Sequence, residues 1–256
     1  MSDAATNDGE YIPLDEDLPH SLRLPRRGLH AEVTSSLGRD IVAGVLAPGA
    51  SINTEEVCAR LQVSRSVVRE SLRALESVGM ISAKPRIGTR VNPPLMWDML
   101  NPQVVAWRGS GATYLQQMRE MLELRLGVEV AAAGLAAERM PAARVEDLRT
   151  RLANMNVAVA RDDVNRFVEE DAAFHTIIMT SCENAFIAQI ATPVTAVLAT
   201  RQDDDARFFS AHTPHSLDQH EQLVDAIASA DRDSAEKWAR AIVQETLGEF
   251  GERASR

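Results

Sequence analysis

Residues 64–81 read SRSVVRESLRALESVGMI, and the parsing of this stretch decides that of its flanks. Ser64 suits a helix N-cap, because its hydroxyl can accept from a first-turn amide that has no partner inside the helix. Val68, Leu72 and Leu75 recur at helical spacing and form an inward stripe, which leaves Arg65, Ser66 and Arg69 at the exposed start of the helix. Gly79 ends the helix, and Met80–Ala83 and Thr89–Val91 read as two short strands around the turn Lys84-Pro85-Arg86-Ile87-Gly88. Upstream, Val33, Leu37, Ile41 and Val42 mark one face of a helix that Ala47-Pro48-Gly49 stops. Asn53 or Thr54 can cap a second, short helix through Leu61, with Glu55 and Glu56 in its first turn, where the dipole favours them. Three helices and a basic hairpin make a winged helix-turn-helix. The start of its recognition helix would present short hydroxyl and arginine side chains to a DNA groove, with the wing reaching adjacent phosphates.

The charge distribution agrees with this reading once it is divided along the chain. The 256 residues carry a formal net charge of -10, which as a single number argues against a nucleic-acid partner. Residues 1–20 contribute -6, residues 21–92 contribute +5, and the remainder contributes -9. One basic segment inside an acidic chain is the pattern of a DNA-binding domain attached to an acidic partner domain. Cys58 and Cys182 are too few for a disulfide scaffold or a four-cysteine zinc module and read as inert core thiols. No apolar run reaches a membrane span and no signal-like layout opens the chain, so the expectation is a cytoplasmic protein with no membrane partner.

The expected fold is mostly α, and the expected boundaries follow the changes in pattern. Residues 1–29 are an acidic tail with a basic lead-in, residues 30–94 the winged helix, residues 95–112 a linker, residues 113–250 an all-helical bundle of six or seven helices, and residues 251–256 a tail. Pro193 falls inside one of those helices, where it is expected to kink it.

The run from Ala47-Pro48-Gly49 through Val63-Ser64-Arg65 and Val68-Arg69-Glu70 to Gly88-Thr89-Arg90-Val91 resembles the GntR superfamily of bacterial transcription regulators. The second half resembles the all-helical FCD effector domain of the FadR subfamily. Glu123-Leu124-Arg125, Ala136-Ala137-Glu138-Arg139, Asp171-x-x-Phe174-His175 and His220-x-x-Leu223-Val224 carry that likeness. Trp97, Leu100-Asn101-Pro102 and Trp107 are similar to the sugar-acid regulators of the galactonate-operon type. The resemblance implies a homodimer that reads a pseudo-palindromic operator on double-stranded DNA, more often as a repressor, and that responds to a small carboxylate effector. It assigns DNA contact to Ser64, Arg65, Ser66, Arg69 and Gly88; Lys84, Arg86 and Arg90 are added on charge. Glu55 and Glu56 stand where relatives often place an arginine that touches phosphate, a departure that would weaken the affinity for DNA or move that load to Arg23, Arg26 and Arg27.

Asp171 and His175 lie four residues apart and share a helix face with Phe174 and Ile178, while His220 falls on a stripe with Leu223, Val224 and Ile227. Three ionisable groups on inward faces need partners, since burying them unpaired costs several kcal/mol. In the FCD family an aspartate and three histidines hold a divalent metal, and Asp171, His175 and His220 match the first three of these. The segment of the last helix expected to carry the fourth histidine is Ala241-Ile242-Val243-Gln244, so a zinc-like ion, with nickel or manganese as alternatives, would have three protein ligands and an open position. Arg125 is placed to pair bidentately with an effector carboxylate, its alternative being a salt bridge to Glu129 one turn on. Glu129, Asn184, Arg201 and Gln244 are further pocket candidates, and His212 and His215 read as solvated surface. Two rival readings remain at this level: a metal-dependent enzyme built on the Asp171, His175 and His220 group, and a DNA-binding protein without an effector.

Overall fold

The computed structural model describes residues 28–109, 111–199 and 213–254. Arg23, Arg26, Arg27, Arg201 and His212 lie outside the described residues. The DNA-binding half begins with helix α1 (Leu29–Val42), followed by strand β1 (Ser51–Ile52), helix α2 (Thr54–Leu61) and helix α3 (Arg65–Ser77). Caps define the helix starts as their sequences suggest. The Asn53 side chain accepts from the Glu55 amide at 2.9 Å, and Ser64 Oγ accepts from the Val67 amide at 3.4 Å. Strands β2 (Ile81–Lys84) and β3 (Gly88–Val91) follow. The expected two-stranded hairpin is in fact part of a three-stranded antiparallel sheet of order β1-β3-β2, with Ser51 opposite Arg90. Two residues give too short a run for any periodicity, so β1 exists only because β3 supplies its partner.

Gly79 closes α3 at a φ of +71°, and a Cβ there would meet the carbonyl oxygen of Met96, so both the turn and the close approach of the following chain require glycine. That following chain is not an open tether. Residues 95–112 include helix α4 (Pro102–Arg108), whose start is capped by Asn101. Trp97, Val104 and Trp107 are buried in the same core as Leu37, Val68 and Leu75. Gly38 on α1 makes room for the Trp107 ring, since a Cβ there would lie 2.6 Å from ring carbons. The other neighbours of α4 belong to the helical half, above all α8.

That half contains six helices among the described residues: α5 (Tyr114–Arg139), α6 (Ala142–Ala160), α7 (Val164–Ser181), α8 (Ala185–Ala199), α9 (Thr213–Ala228) and α10 (Arg232–Ala254). Helix α8 continues through Pro193. Helix α5 is central, with α7, α8, α9 and α10 packed around it. Its Ala132, Ala133, Ala136 and Ala137 are all buried, and these small side chains allow close approach of neighbouring backbones. Leu122, Leu148, Phe174, Leu223 and Val243 come from five different helices into one core. The buried stripes on α7 and α9 therefore meet beside α5, which brings their polar residues together.

Candidate functional site

The candidate side chains fall in two regions, one on the surface of the winged helix and one inside the helical half. At the surface, Ser64, Arg65, Ser66 and Arg69 are all exposed at the start of α3, as are Lys84, Arg86, Gly88 and Arg90 on the wing. Ser64 Oγ lies 2.9 Å from Ser66 Oγ. Arg86 and Gly88 at the wing tip adopt positive φ, 66° and 86°, which folds the turn tightly enough to project it. Arg90 donates from Nη1 to the Gly49 carbonyl at 2.8 Å, tying the wing to the loop after α1. Arg65 donates to Glu55 Oε1 at 2.8 Å, an ion pair between the recognition helix and α2 that the sequence did not disclose.

Inside the helical half, α7 contributes Asp171 and His175, α9 contributes His220, and all three are buried. One ligand atom from each lies within 4.8 Å of the others, and among the described residues this is the one such grouping of histidine, cysteine and carboxylate side chains. Asp171 Oδ1 is 3.6 Å from His175 Nε2 and 3.2 Å from His220 Nε2. The opposite edge of each imidazole is held. His175 Nδ1 lies 2.8 Å from Glu129 Oε2, and His220 Nδ1 lies 2.6 Å from the Ser216 carbonyl oxygen. A carbonyl can only accept, so His220 carries its proton on Nδ1 and turns the bare Nε2 inward. The carboxylate of Glu129 likewise draws the Nδ1 proton of His175. Both Nε2 atoms are buried without a hydrogen-bond partner. Two imidazole Nε2 atoms beside one carboxylate oxygen, each ring backed by an acceptor on its far side, can serve as the donor set and orienting shell of a divalent metal site. The residues fit the ion that the sequence suggests. The Phe174 ring packs edge-on against both imidazoles, at centroid distances of 5.7 and 5.0 Å, and gives the group an apolar wall.

The charges around this group are balanced pairwise. Burial alone would push the Glu129 carboxyl up, but Arg125 and His175 outweigh it and hold the pKa at about 2. Burial would depress His175, yet the charge of Glu129, opposed by Arg125 and helped by Asp171, raises it to about 9. For Asp171 the upward push of burial is overcome by His175 and His220, leaving it well below the usual carboxylate range. In the absence of a metal, His175 is thus a cation between two carboxylates, and an ion that binds its Nε2 takes the place of a proton.

Of the five residues predicted to line an effector pocket, the structure brings two to the cluster. Arg125 is buried and donates from Nε and Nη2 to Glu129 at 2.5 and 3.1 Å, which is the internal salt bridge held open as its alternative. Glu129 joins that guanidinium to His175. Asn184 instead caps α8, accepting from the Phe186 and Ile187 amides at 3.0 and 3.3 Å. Gln244 is exposed on α10, and Arg201 lies outside the described residues. The stretch of α10 around position 242 offers buried Ile242 and Val243 and no imidazole. Sequence reasoning did not find the Ser216 carbonyl, which a backbone atom gives no means of signalling.

A winged helix with an exposed basic recognition helix, joined to a helical half with a buried polar cluster, defines a ligand-responsive DNA-binding transcription regulator. Residues 29–91 match the model of "Bacterial regulatory proteins, gntR family" and residues 120–245 match that of the FCD domain. The uncharacterized HTH-type transcriptional regulator YieP of Escherichia coli K12 is 30% identical over 223 residues, covering 86% of this chain and 94% of that protein. The galactonate operon transcriptional repressor of the same organism is 28% identical over 212 residues, covering 82% and 92%. The chain belongs to the GntR family and carries an FCD domain behind its winged helix. Among solved structures it is similar to one described as "Lar controls the expression of the Listeria monocytogenes agr system and mediates virulence", with a TM-score of 0.60, 18% identity and coverage of 88% and 98%. It is also similar to E. coli McbR/YncC, with a TM-score of 0.50, 18% identity and coverage of 89% and 99%. At that identity the likeness speaks for the fold alone. The relatives are transcription regulators rather than enzymes, which sets aside the metalloenzyme reading. Among the described residues no helix is long and apolar enough to cross a membrane.

Proposed function

We propose that this protein is a homodimeric repressor of a catabolic operon, and that a small organic acid, with sugar acids favoured, modulates its grip on a pseudo-palindromic operator. The observation that carries the effector half of this reading is the pair of buried, unpartnered Nε2 atoms of His175 and His220 facing Asp171. Asp171, His175 and His220 would hold a divalent ion, which when bound would polarise and anchor an effector carboxylate. Glu129 and the Ser216 carbonyl fix the two imidazoles, and Arg125 keeps Glu129 charged where it is needed. A similar galactonate operon repressor supports the sugar-acid choice, and together with a probable D-xylose utilization operon repressor of Paenarthrobacter nicotinovorans, 24% identical, it supports the repressor choice. Dimerisation is supported by half-site logic, because a single recognition helix reads too few base pairs for useful specificity.

A packed route joins the two halves. Helix α7, which carries Asp171 and His175, packs on α8; α8 packs on α4; and Trp107 of α4 seats on Gly38 of α1. An effector that binds one arrangement of this stack more tightly than another shifts the placement of the winged helices. The test is a duplex selected from a random pool by the full-length protein, titrated by fluorescence anisotropy with galactonate, gluconate or lactate after zinc loading. A sugar acid that shifts DNA affinity in the wild type but not in His175→Ala supports the proposal. An affinity unchanged by both galactonate and gluconate, whatever lactate does, overturns the sugar-acid assignment.

A further inference from the structure

On the DNA-binding reading above, the exposed face around α3 contains one feature that works against DNA. Arg65 and Glu55 are bonded at 2.8 Å although their side chains are 75% and 70% exposed, so neither is forced into the pair by burial. Glu55 sits in the first turn of α2, where the helix dipole favours its negative charge, and the Asn53 side chain caps its backbone amide. The next residue, Glu56, accepts from Asn53 Nδ2 at 3.1 Å. Amides at the start of a helix are ready anion binders. Here the Glu55 amide is already capped by the Asn53 side chain, and two carboxylates stand in the same turn beside an arginine expected to reach DNA.

We propose that Glu55 is a built-in competitor for Arg65 that holds the affinity for DNA down. Arg65 can meet a phosphate or a base edge in two ways. It can leave Glu55, losing the ion pair, or it can carry Glu55 with it and bring a carboxylate towards the phosphates. Both routes subtract from binding, and both act on any sequence, because the ion pair exists before the DNA is read. The cost weighs most where phosphate attraction is the whole of the binding, as on arbitrary DNA.

The experiment compares full-length wild type, Glu55→Gln, Glu56→Gln and Arg65→Ala on two 30-bp duplexes, one selected from a random pool by the wild type and one scrambled. Glu55→Gln is expected to bind both duplexes about two- to fivefold more tightly near 0.1 M salt, the range that an exposed ion pair allows. Its dependence of log affinity on log salt should steepen by up to about one unit, the contribution of about one more phosphate contact. Glu56→Gln removes the same charge without freeing Arg65 and should gain less. In an Arg65→Ala background the advantage of Glu55→Gln should fall to that of Glu56→Gln. Equal gains from the two glutamines, or weaker binding by Glu55→Gln, would overturn the proposal, the second result meaning that Glu55 steadies Arg65 for DNA. If Arg65→Ala itself binds the selected duplex like the wild type, it is the assignment of the recognition helix that falls.

Discussion

Gly38→Ala tests the seat between the winged helix and the connector. In the interior of a helix, glycine is about 1 kcal/mol less favourable than alanine, so the substitution ordinarily stabilises. At position 38 the new methyl would stand 2.6 Å from two carbons of the Trp107 ring and 2.8 Å from a third. Carbon atoms pack at about 3.5–4.0 Å, so ring and helix must part by about 1 Å. Trp107 is 5% exposed and fixed in the core, which leaves it little room to yield. Overpacking of this kind costs about 1–3 kcal/mol, and against the propensity gain the net effect is a loss of about 0–2 kcal/mol. Gly127→Ala is the control, because that glycine also lies within a helix and a Cβ there meets nothing within 4 Å. Urea or thermal unfolding should show Gly127→Ala gaining up to about 1 kcal/mol, equivalent to about 2–4 °C for a chain of this size, and Gly38→Ala failing to gain. In a Trp107→Leu background Gly38→Ala should regain most of the helix benefit. A Gly38→Ala protein as stabilised as Gly127→Ala would refute the seat, and with it the packed route from α8 to α1.

Four other outcomes are expected. Arg65→Ala together with Arg69→Ala should cut affinity for the selected duplex by at least tenfold while the far-UV circular dichroism and melting temperature stay at wild-type values; retained affinity would move the DNA contact elsewhere. Zinc chloride at about a hundred times its dissociation constant should stabilise the wild type by about 2.7 kcal/mol, reversibly with a chelator, and should leave His220→Ala unmoved. Isothermal titration in buffers of different ionisation enthalpy should show that zinc binding near pH 7 releases close to one proton, since His175 titrates at about 9. The sign follows from that raised value: the charged imidazole stabilises the metal-free fold below its unfolded pKa, the stabilisation is lost as pH climbs through about 9, and metal competes better as it goes. Glu129→Gln removes the partner of a buried guanidinium and should cost about 3–5 kcal/mol, whereas Glu123→Gln, in the exposed pair with Arg119, should cost under about 1 kcal/mol. Comparable losses in the two variants would show that Arg125 has another acceptor.

The sequence by itself determined what depends on neighbours along the chain. A cap at Asn53 or Thr54 and another at Ser64, the stripe Val68-Leu72-Leu75 and the glycine stop at Gly79 are local choices, and the winged helix follows from them. The spacing of Asp171 and His175 placed both on one face because helical periodicity does. His220 could be matched to that pair only by likeness to a family, since 45 residues separate it from His175 and no local rule spans them. Tertiary structure decided which long-range partner each side chain met. Strand β1 is created by β3, and the stretch around Trp97 and Trp107 reads as linker until Gly38 gives it a surface to pack on. Arg125 had two partners open to it, an effector carboxylate or Glu129, and geometry joined it to Glu129 and thereby to His175. The ion pair of Arg65 with Glu55 likewise depends on the angle at which α2 meets α3. Periodicity reports which face of an element is buried, but which polar groups then lie within 3 Å of one another is settled only when the elements pack.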